Sequence, residues 1–222
     1  MKKITVSSAG GDFAPKDEPI AEPNIGHARV KVQACGVCHS DALTREGTWP
    51  GILYPRVPGH EIAGVIDALG PDADPWKIGD RVGIGWHGGH CGKCESCRRG
   101  DFITCVKLQV PGISYDGGYA EYVSVPIEAL ARIPEALTPE EAAPLMCAGI
   151  TTFNALRHSG ARPGDLVESR ASAVSAIWEF SSQTNSALPR SQSAEENKIR
   201  SSHWNWELEF TLTRDRRMSL KN

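Results

Sequence analysis

Cys91, Cys94, Cys97 and Cys105 follow one another in the spacing C-x2-C-x2-C-x7-C. Thiolates at such intervals can wrap a tetrahedral Zn²⁺ with bonds of about 2.3 Å and close every coordination position, which makes such a site structural. A small zinc ribbon that binds nucleic acid uses comparable spacing. Here, however, Arg98, Arg99 and Lys107 are few, and Glu95 and Asp101 offset them.

A second set is spread along the chain: Cys38, in Gly36-Val37-Cys38-His39-Ser40-Asp41; His60, in Pro58-Gly59-His60-Glu61; and Cys147, in Leu145-Met146-Cys147-Ala148-Gly149. Two thiolates and an imidazole leave one position on zinc for water or substrate, as Lewis-acid catalysis requires. Spacing alone leaves this set open, because a lone buried cysteine or histidine is as readily a packing residue.

The elements that must carry these residues read as β-rich. Ala28–Ala34 alternates with period two, and Glu61–Ala68 and Tyr119–Val125 are further strand candidates between glycine and proline punctuation. Thr138-Pro139-Glu140-Glu141 carries an N-cap residue, a proline at the first helical position and acids in the first turn, predicting a helix from Pro139 to about Met146. A second helix is expected over Gly149–His158, closed by Ser159-Gly160. Arg162–Val167 reads as a turn entering a strand. The fold class expected is mainly β with short helices.

Composition narrows the function classes. A formal net charge of -3 supplies no basic field for nucleic acid, and no apolar run approaches the roughly 20 residues of a membrane helix. Met1-Lys2-Lys3-Ile4-Thr5-Val6 lacks the apolar segment of a secretory signal, so a cytoplasmic protein is expected. In that reducing compartment a set of seven cysteines points to metal binding rather than to disulfides.

The motifs around Cys38, His60 and Cys147, the four-cysteine loop between them and Met146-Cys147-Ala148-Gly149-Ile150-Thr151 occur in the order found in zinc-dependent medium-chain alcohol dehydrogenases. The chain resembles that family, especially its microbial alcohol and cinnamyl-type branch, over roughly the first 165 residues. The resemblance implies a GroES-like, partly open barrel with two zinc ions per chain, one held by Cys38, His60 and Cys147 and the other by Cys91, Cys94, Cys97 and Cys105. Cys35 matches a position that is not a ligand, and Glu61 stands where a carboxylate could approach the metal.

The same resemblance implies hydride exchange between a small alcohol or aldehyde and NAD(P). It makes Ser40 the acceptor of the alcohol proton, Asp41 the carboxylate orienting His60, His39 the neighbour of the cofactor pyrophosphate, and Trp49 and Trp86 walls of the substrate pocket. Their bulk favours small or flat substrates. A purely local alternative is that Ser40 and Asp41 cap the following helix. Glu46 replaces a histidine that many relatives carry, which alters the proton relay to solvent. The competing class is a zinc-binding structural or interaction module without catalysis.

The expected organisation is a GroES-like domain over 1–147, a helix and strand over 148–167 that lead in relatives to a Rossmann domain, and an aberrant tail over 168–222. All 22 glycines and all seven cysteines precede Glu168. Where relatives have a glycine-rich turn, this chain has Glu168-Ser169-Arg170-Ala171-Ser172-Ala173-Val174-Ser175-Ala176, so the Rossmann domain is expected to be absent and the chain inactive alone.

Reading each codon from the third base of one residue and the first two of the next restores glycines in the spacing G-x-G-G-x-G, and Trp178-Glu179 forces a further glycine outright. The same shift makes Arg190–Glu195 and Trp204–Leu208 resemble the next strand and turn, with a serine and arginine that favour NADP. A one-base frame shift after Val167 is therefore expected. In the frame as it stands, Ile177–Phe180 and Trp204–Phe210 are strand candidates within a polar, disorder-like segment.

Overall fold

The computed structural model describes residues 1–162, 166–170, 197–199 and 208–213. The chain divides into two compact units, Met1–Cys147 and Ala148–Asn222.

In the first unit the strands are β1 (Lys2–Val6), β2 (Phe13–Asp17), β3 (His27–Gly36), β4 (Glu61–Leu69), β5 (Arg81–Ile84), β6 (Tyr122–Pro126) and β7 (Leu130–Arg132). Its helices are short: α1 (Asp41–Glu46), α2 (Glu95–Arg98) and α3 (Pro139–Ala142). β1 and β2 form an antiparallel pair, and the other five strands make an open antiparallel sheet in the order β6-β3-β4-β5-β7. The mainly β expectation holds, built from open sheets.

Period-two alternation puts Ala28 and Val30 of β3, Ile62 and Ile66 of β4, Val82 and Ile84 of β5, and Val123 and Val125 of β6 into one apolar core. The alternation expected through Ala34 breaks. A register shift between Val32 and Ala34 changes the parity of β3, so Cys35 packs on this core while Ala34 packs on a second cluster with Ala63, Ile133, Ala142 and Ala143. β4 is consequently covered on both faces, which is why Glu61, Ile62, Ala63 and Gly64 are all buried.

Two further expectations shift. The strand predicted over Tyr119–Val125 starts at Tyr122, and Tyr119 and Ala120 lie instead against β1, with Ile4 N–H donating to Tyr119 O at 2.7 Å. The helix predicted over Pro139–Met146 is α-helical only to Ala142 and tightens to a 3-10 turn over Ala143–Met146. Pro144 has no N–H to continue the α pattern. At its start, Thr138 and Glu141 form the reciprocal capping box, behind Pro139.

In the second unit, α4 (Ala148–His158) matches the helix expected there, and Thr152 Oγ1 donates back to Ala148 O at 3.0 Å. β8 (Leu166–Arg170), β9 (Asn197–Ile199) and β10 (Leu208–Thr213) form an antiparallel sheet in the order β8-β10-β9. The turn expected at Pro163–Asp165, the strand candidate Ile177–Phe180 and the Trp204–Glu207 part of the other lie outside the described residues. No helix among the described residues is long and apolar enough to cross a membrane.

Candidate metal centre

The loop between β5 and β6 carries the four clustered cysteines. Cys94 is the residue before α2, Cys97 lies within it, and Cys105 follows a 3-10 turn at Phe102–Thr104. Their sulfurs are 3.4 Å apart for Cys94–Cys97, 3.6 Å for Cys91–Cys105, 3.8 Å for Cys94–Cys105 and 4.0 Å for Cys91–Cys97. Bonds of about 2.3 Å directed to tetrahedral corners place sulfurs about 3.8 Å apart, so the four span the edges of a zinc–thiolate tetrahedron. They are far too separated for disulfides, whose sulfurs sit about 2.05 Å apart.

Backbone N–H groups point at these sulfurs. Cys91 and Lys107 donate to Cys105 Sγ at 3.4 and 3.3 Å. The backbone at Cys97 holds Cys94 down at about 6, while burial lifts Cys97 to about 12. Thiols this close can all ionise together only around a cation.

The dispersed set converges as well. Cys38 follows β3, His60 directly precedes β4 and Cys147 ends the first unit, and one ligand atom from each lies within 4.8 Å of the others. Cys38 Sγ and Cys147 Sγ are 4.0 Å apart, again close to a tetrahedral edge. His60 is only 2% exposed. Its Nδ1 lies 3.0 Å from Asp41 Oδ1, and with the proton on Nδ1 the Nε2 lone pair is bare. Nε2 is buried and has no hydrogen-bond partner. A buried acceptor left unmet beside two thiols is the donor set that zinc satisfies, so these residues fit the ion.

The three groups also perturb one another strongly. Contact with the Cys147 thiol, working against burial, brings Cys38 down to about 4, and the Cys147 thiol is in turn pushed up by Cys38 and by burial. Burial lowers His60, but Asp41 and the nearby Cys38 sulfur outweigh it and set its pKa at about 9.

Several glycines make this convergence possible. A Cβ on Gly85 would lie 2.2 Å from Met146 O, and one on Gly83 would lie 2.2 Å from Met146 Sδ. Gly83 within β5 and Gly85 just after it must lack side chains for the turn that ends in Cys147 to reach the site. Gly59 adopts a φ of +100°, and a Cβ there would meet Tyr119 Cδ1 at 2.7 Å. Gly117 and Tyr119 run beside the His60 loop, donating to Val57 O at 2.7 Å and Pro58 O at 3.0 Å. The contact leaves no mark in the sequence, because glycines before a strand read as turn residues and Tyr119 reads as the start of that strand.

The other residues singled out from sequence fall at different distances from the trio. Asp41 is 5% exposed, and its carboxylate accepts from Cys38 N–H at 3.0 Å, Gly59 N–H at 3.1 Å, His60 Nδ1 and Tyr119 Oη at 2.7 Å. Burial raises its pKa, but these donors outweigh it and keep the carboxyl below its ordinary value. Ser40 precedes α1 without a side-chain capping bond, so neither residue acts as the helix cap that local sequence allowed. Ser40 Oγ lies 3.5 Å from Cys38 Sγ.

Trp86 meets His60 edge to face at 5.1 Å, and Trp49 meets Trp86 at 5.5 Å, so both indoles stand beside the trio. Glu61 is buried with its carboxylate against Gly36. His39 is exposed, and Glu46 is exposed at the far end of α1. Cys35 is not among the converging ligands. Burial holds its thiol at about 12.

Known proteins resemble this chain in sequence and fold. Residues 24–135 match the alcohol dehydrogenase GroES-like domain. The alcohol dehydrogenase patD of Aspergillus clavatus is 49% identical over 148 residues, 67% of this chain and 38% of the relative. An alcohol dehydrogenase of Geobacillus stearothermophilus is 45% identical over 168 residues, 75% of this chain and 50% of the relative.

Among solved structures, an NAD-dependent alcohol dehydrogenase superposes with a TM-score of 0.75 at 30% identity, covering 86% of this chain and 57% of that one. A cobalt- and zinc-bound thermostable alcohol dehydrogenase from Pyrobaculum aerophilum gives 0.73 at 25% identity, with 86% and 58% covered. The chain spans half or less of the length of these two curated relatives. With the fold, the converging ligands and this match together, the chain belongs to the alcohol dehydrogenase family through its GroES-like domain.

Proposed function

We propose that this chain supplies the zinc-binding catalytic part of an NAD(P)-linked alcohol dehydrogenase acting on small alcohols or aldehydes. The observation that carries the reading is the bare, buried Nε2 of His60 aimed among two thiols, with two tryptophans beside it. Zinc held by Cys38, His60 and Cys147 supplies Lewis acidity to an alcohol or carbonyl oxygen. A second zinc would be held by Cys91, Cys94, Cys97 and Cys105, four thiolates that would leave it no open position, and would serve folding.

The chain's own residues divide the remaining work. Asp41 holds the His60 ring and its tautomer. Ser40, beside Cys38, receives the alcohol proton. Glu46 lies about 9 Å further along α1 at 1.5 Å per residue, too far for one hydrogen bond, so a proton reaches it through water. Trp49 and Trp86 restrict the pocket to small or flat substrates and exclude water from the reacting carbon. His39, exposed next to Cys38, would meet the pyrophosphate of a bound cofactor.

Cobalt(II) in place of zinc tests this directly, because its visible absorption reports what occupies the open position. A short-chain alcohol should shift the spectrum of the cobalt-loaded chain saturably, and Cys147→Ser should abolish the shift. A loaded chain whose spectrum ignores alcohols would support the structural-module reading instead.

A further inference from the structure

We propose that Tyr119 is a positioning residue for the Cys38–His60–Cys147 centre, its hydroxyl completing the hydrogen-bond shell of Asp41 and thereby fixing the His60 ring. This rests on the metal-site reading above and adds a residue that touches none of the ligands' donor atoms.

The two oxygens of a carboxylate offer about four lone-pair sites. On Asp41, Oδ1 takes Gly59 N–H and His60 Nδ1, and Oδ2 takes Cys38 N–H and Tyr119 Oη. Three of these donors belong to the two ligand-bearing segments and move with them. Tyr119 comes from a separate segment, fastened on both sides: its carbonyl accepts from Ile4 N–H at 2.7 Å and its N–H donates to Pro58 O at 3.0 Å. Gly118 N–H adds a bond to Gly59 O at 2.9 Å.

The Tyr119 ring occupies the space that a side chain on Gly59 would need. The phenol is thus a fixed point against which the carboxylate, and through it the imidazole, is oriented. Without the hydroxyl, Oδ2 keeps only the Cys38 amide, which shifts with the ligand it should hold. Outer partners of ligating histidines tune metal affinity by about 10- to 100-fold, and a residue one step further out is expected at the low end of that range.

The test uses the full chain, stripped of metal, titrated with cobalt(II) and then challenged with a chromophoric chelator. The intensity of the thiolate charge-transfer bands separates the four-thiolate site from the two-thiolate one. Tyr119→Phe should weaken the two-thiolate site by about tenfold, leave the four-thiolate site at its wild-type affinity, and preserve the circular dichroism spectrum.

Tyr119→Leu, which also removes the ring, should match Tyr119→Phe in the affinity it loses. Wild-type affinity in Tyr119→Phe, or weakening confined to Tyr119→Leu, would overturn the proposal, since ring packing would then be the tyrosine's only contribution. Equal weakening at both sites would overturn it as well, by assigning Tyr119 a general structural role. If wild-type chain takes cobalt only on its four thiolates, the proposed function itself fails and this inference falls with it.

Discussion

His60 Nδ1 and Asp41 Oδ1 stand 3.0 Å apart in a nearly solvent-free pocket, and that single contact decides which imidazole nitrogen can bind a metal. Replacing Asp41 by Asn keeps the shape but turns an acceptor into a group that also presents N–H, so the tautomer is no longer enforced. Asp41→Asn is expected to weaken metal binding at Cys38, His60 and Cys147 by about 10- to 100-fold, measured by chelator competition, with the four-cysteine site unaffected. Unchanged affinity would remove Asp41 from the account.

Gly85 tests how Cys147 is delivered. Any side chain there runs into the backbone carbonyl of Met146, which has no rotamer to yield. Gly85→Ala should destabilise the zinc-loaded chain by about 2 kcal/mol in urea unfolding, the usual scale of overpacking. A change below about 0.5 kcal/mol, typical of surface substitutions, would contradict the close approach.

How much of this was legible in the sequence depends on how local the determining interactions are. The four-cysteine site is written in one loop, and the helix start at Thr138-Pro139-Glu140-Glu141 needs only four consecutive residues. Both emerge directly from spacing.

The parity change in β3 was not legible, because a bulge depends on the partner strand and leaves no mark in an alternating run such as Ala28–Ala34. Tyr119 escaped for a related reason. Its hydroxyl reaches Asp41 across 78 positions of sequence, and as a tyrosine at the head of an apolar run it reads as strand. Cys38, His60 and Cys147 stood between these cases: residue types suggested a site, resemblance chose among the readings, and the folded chain brings the three together.

Lys3 gives a pH signature independent of the metal. Its ammonium pairs with Glu18 and Asp116; burial lowers its pKa, but the two carboxylates outweigh burial and raise it above 10.5. A base held protonated in the folded state contributes stability that is complete below its unfolded pKa and is lost as pH rises through the folded value. The stability difference between wild type and Lys3→Met should therefore be constant at neutral pH and shrink above about pH 10.5, followed by urea midpoints. A difference that stays constant through that range would contradict the ion-pair assignment.

The reading frame after Val167 is testable without protein. Transcript sequence across the codons for Val167 and Glu168 from a close relative of the source is expected to align with this gene after a one-base shift, restoring the glycine-rich turn. An unshifted frame shared by both would make Glu168–Asn222 a genuine segment.

The central claim is that Cys38, His60 and Cys147 hold a metal ion distinct from the one on Cys91, Cys94, Cys97 and Cys105. The most direct measurement is the zinc content of the full chain, with each ion placed by anomalous X-ray scattering. Two ions per chain are predicted, one at each ligand group, and Cys38→Ser should retain only the ion on the four thiolates. A single ion in wild type, confined to that four-cysteine loop, would contradict the account.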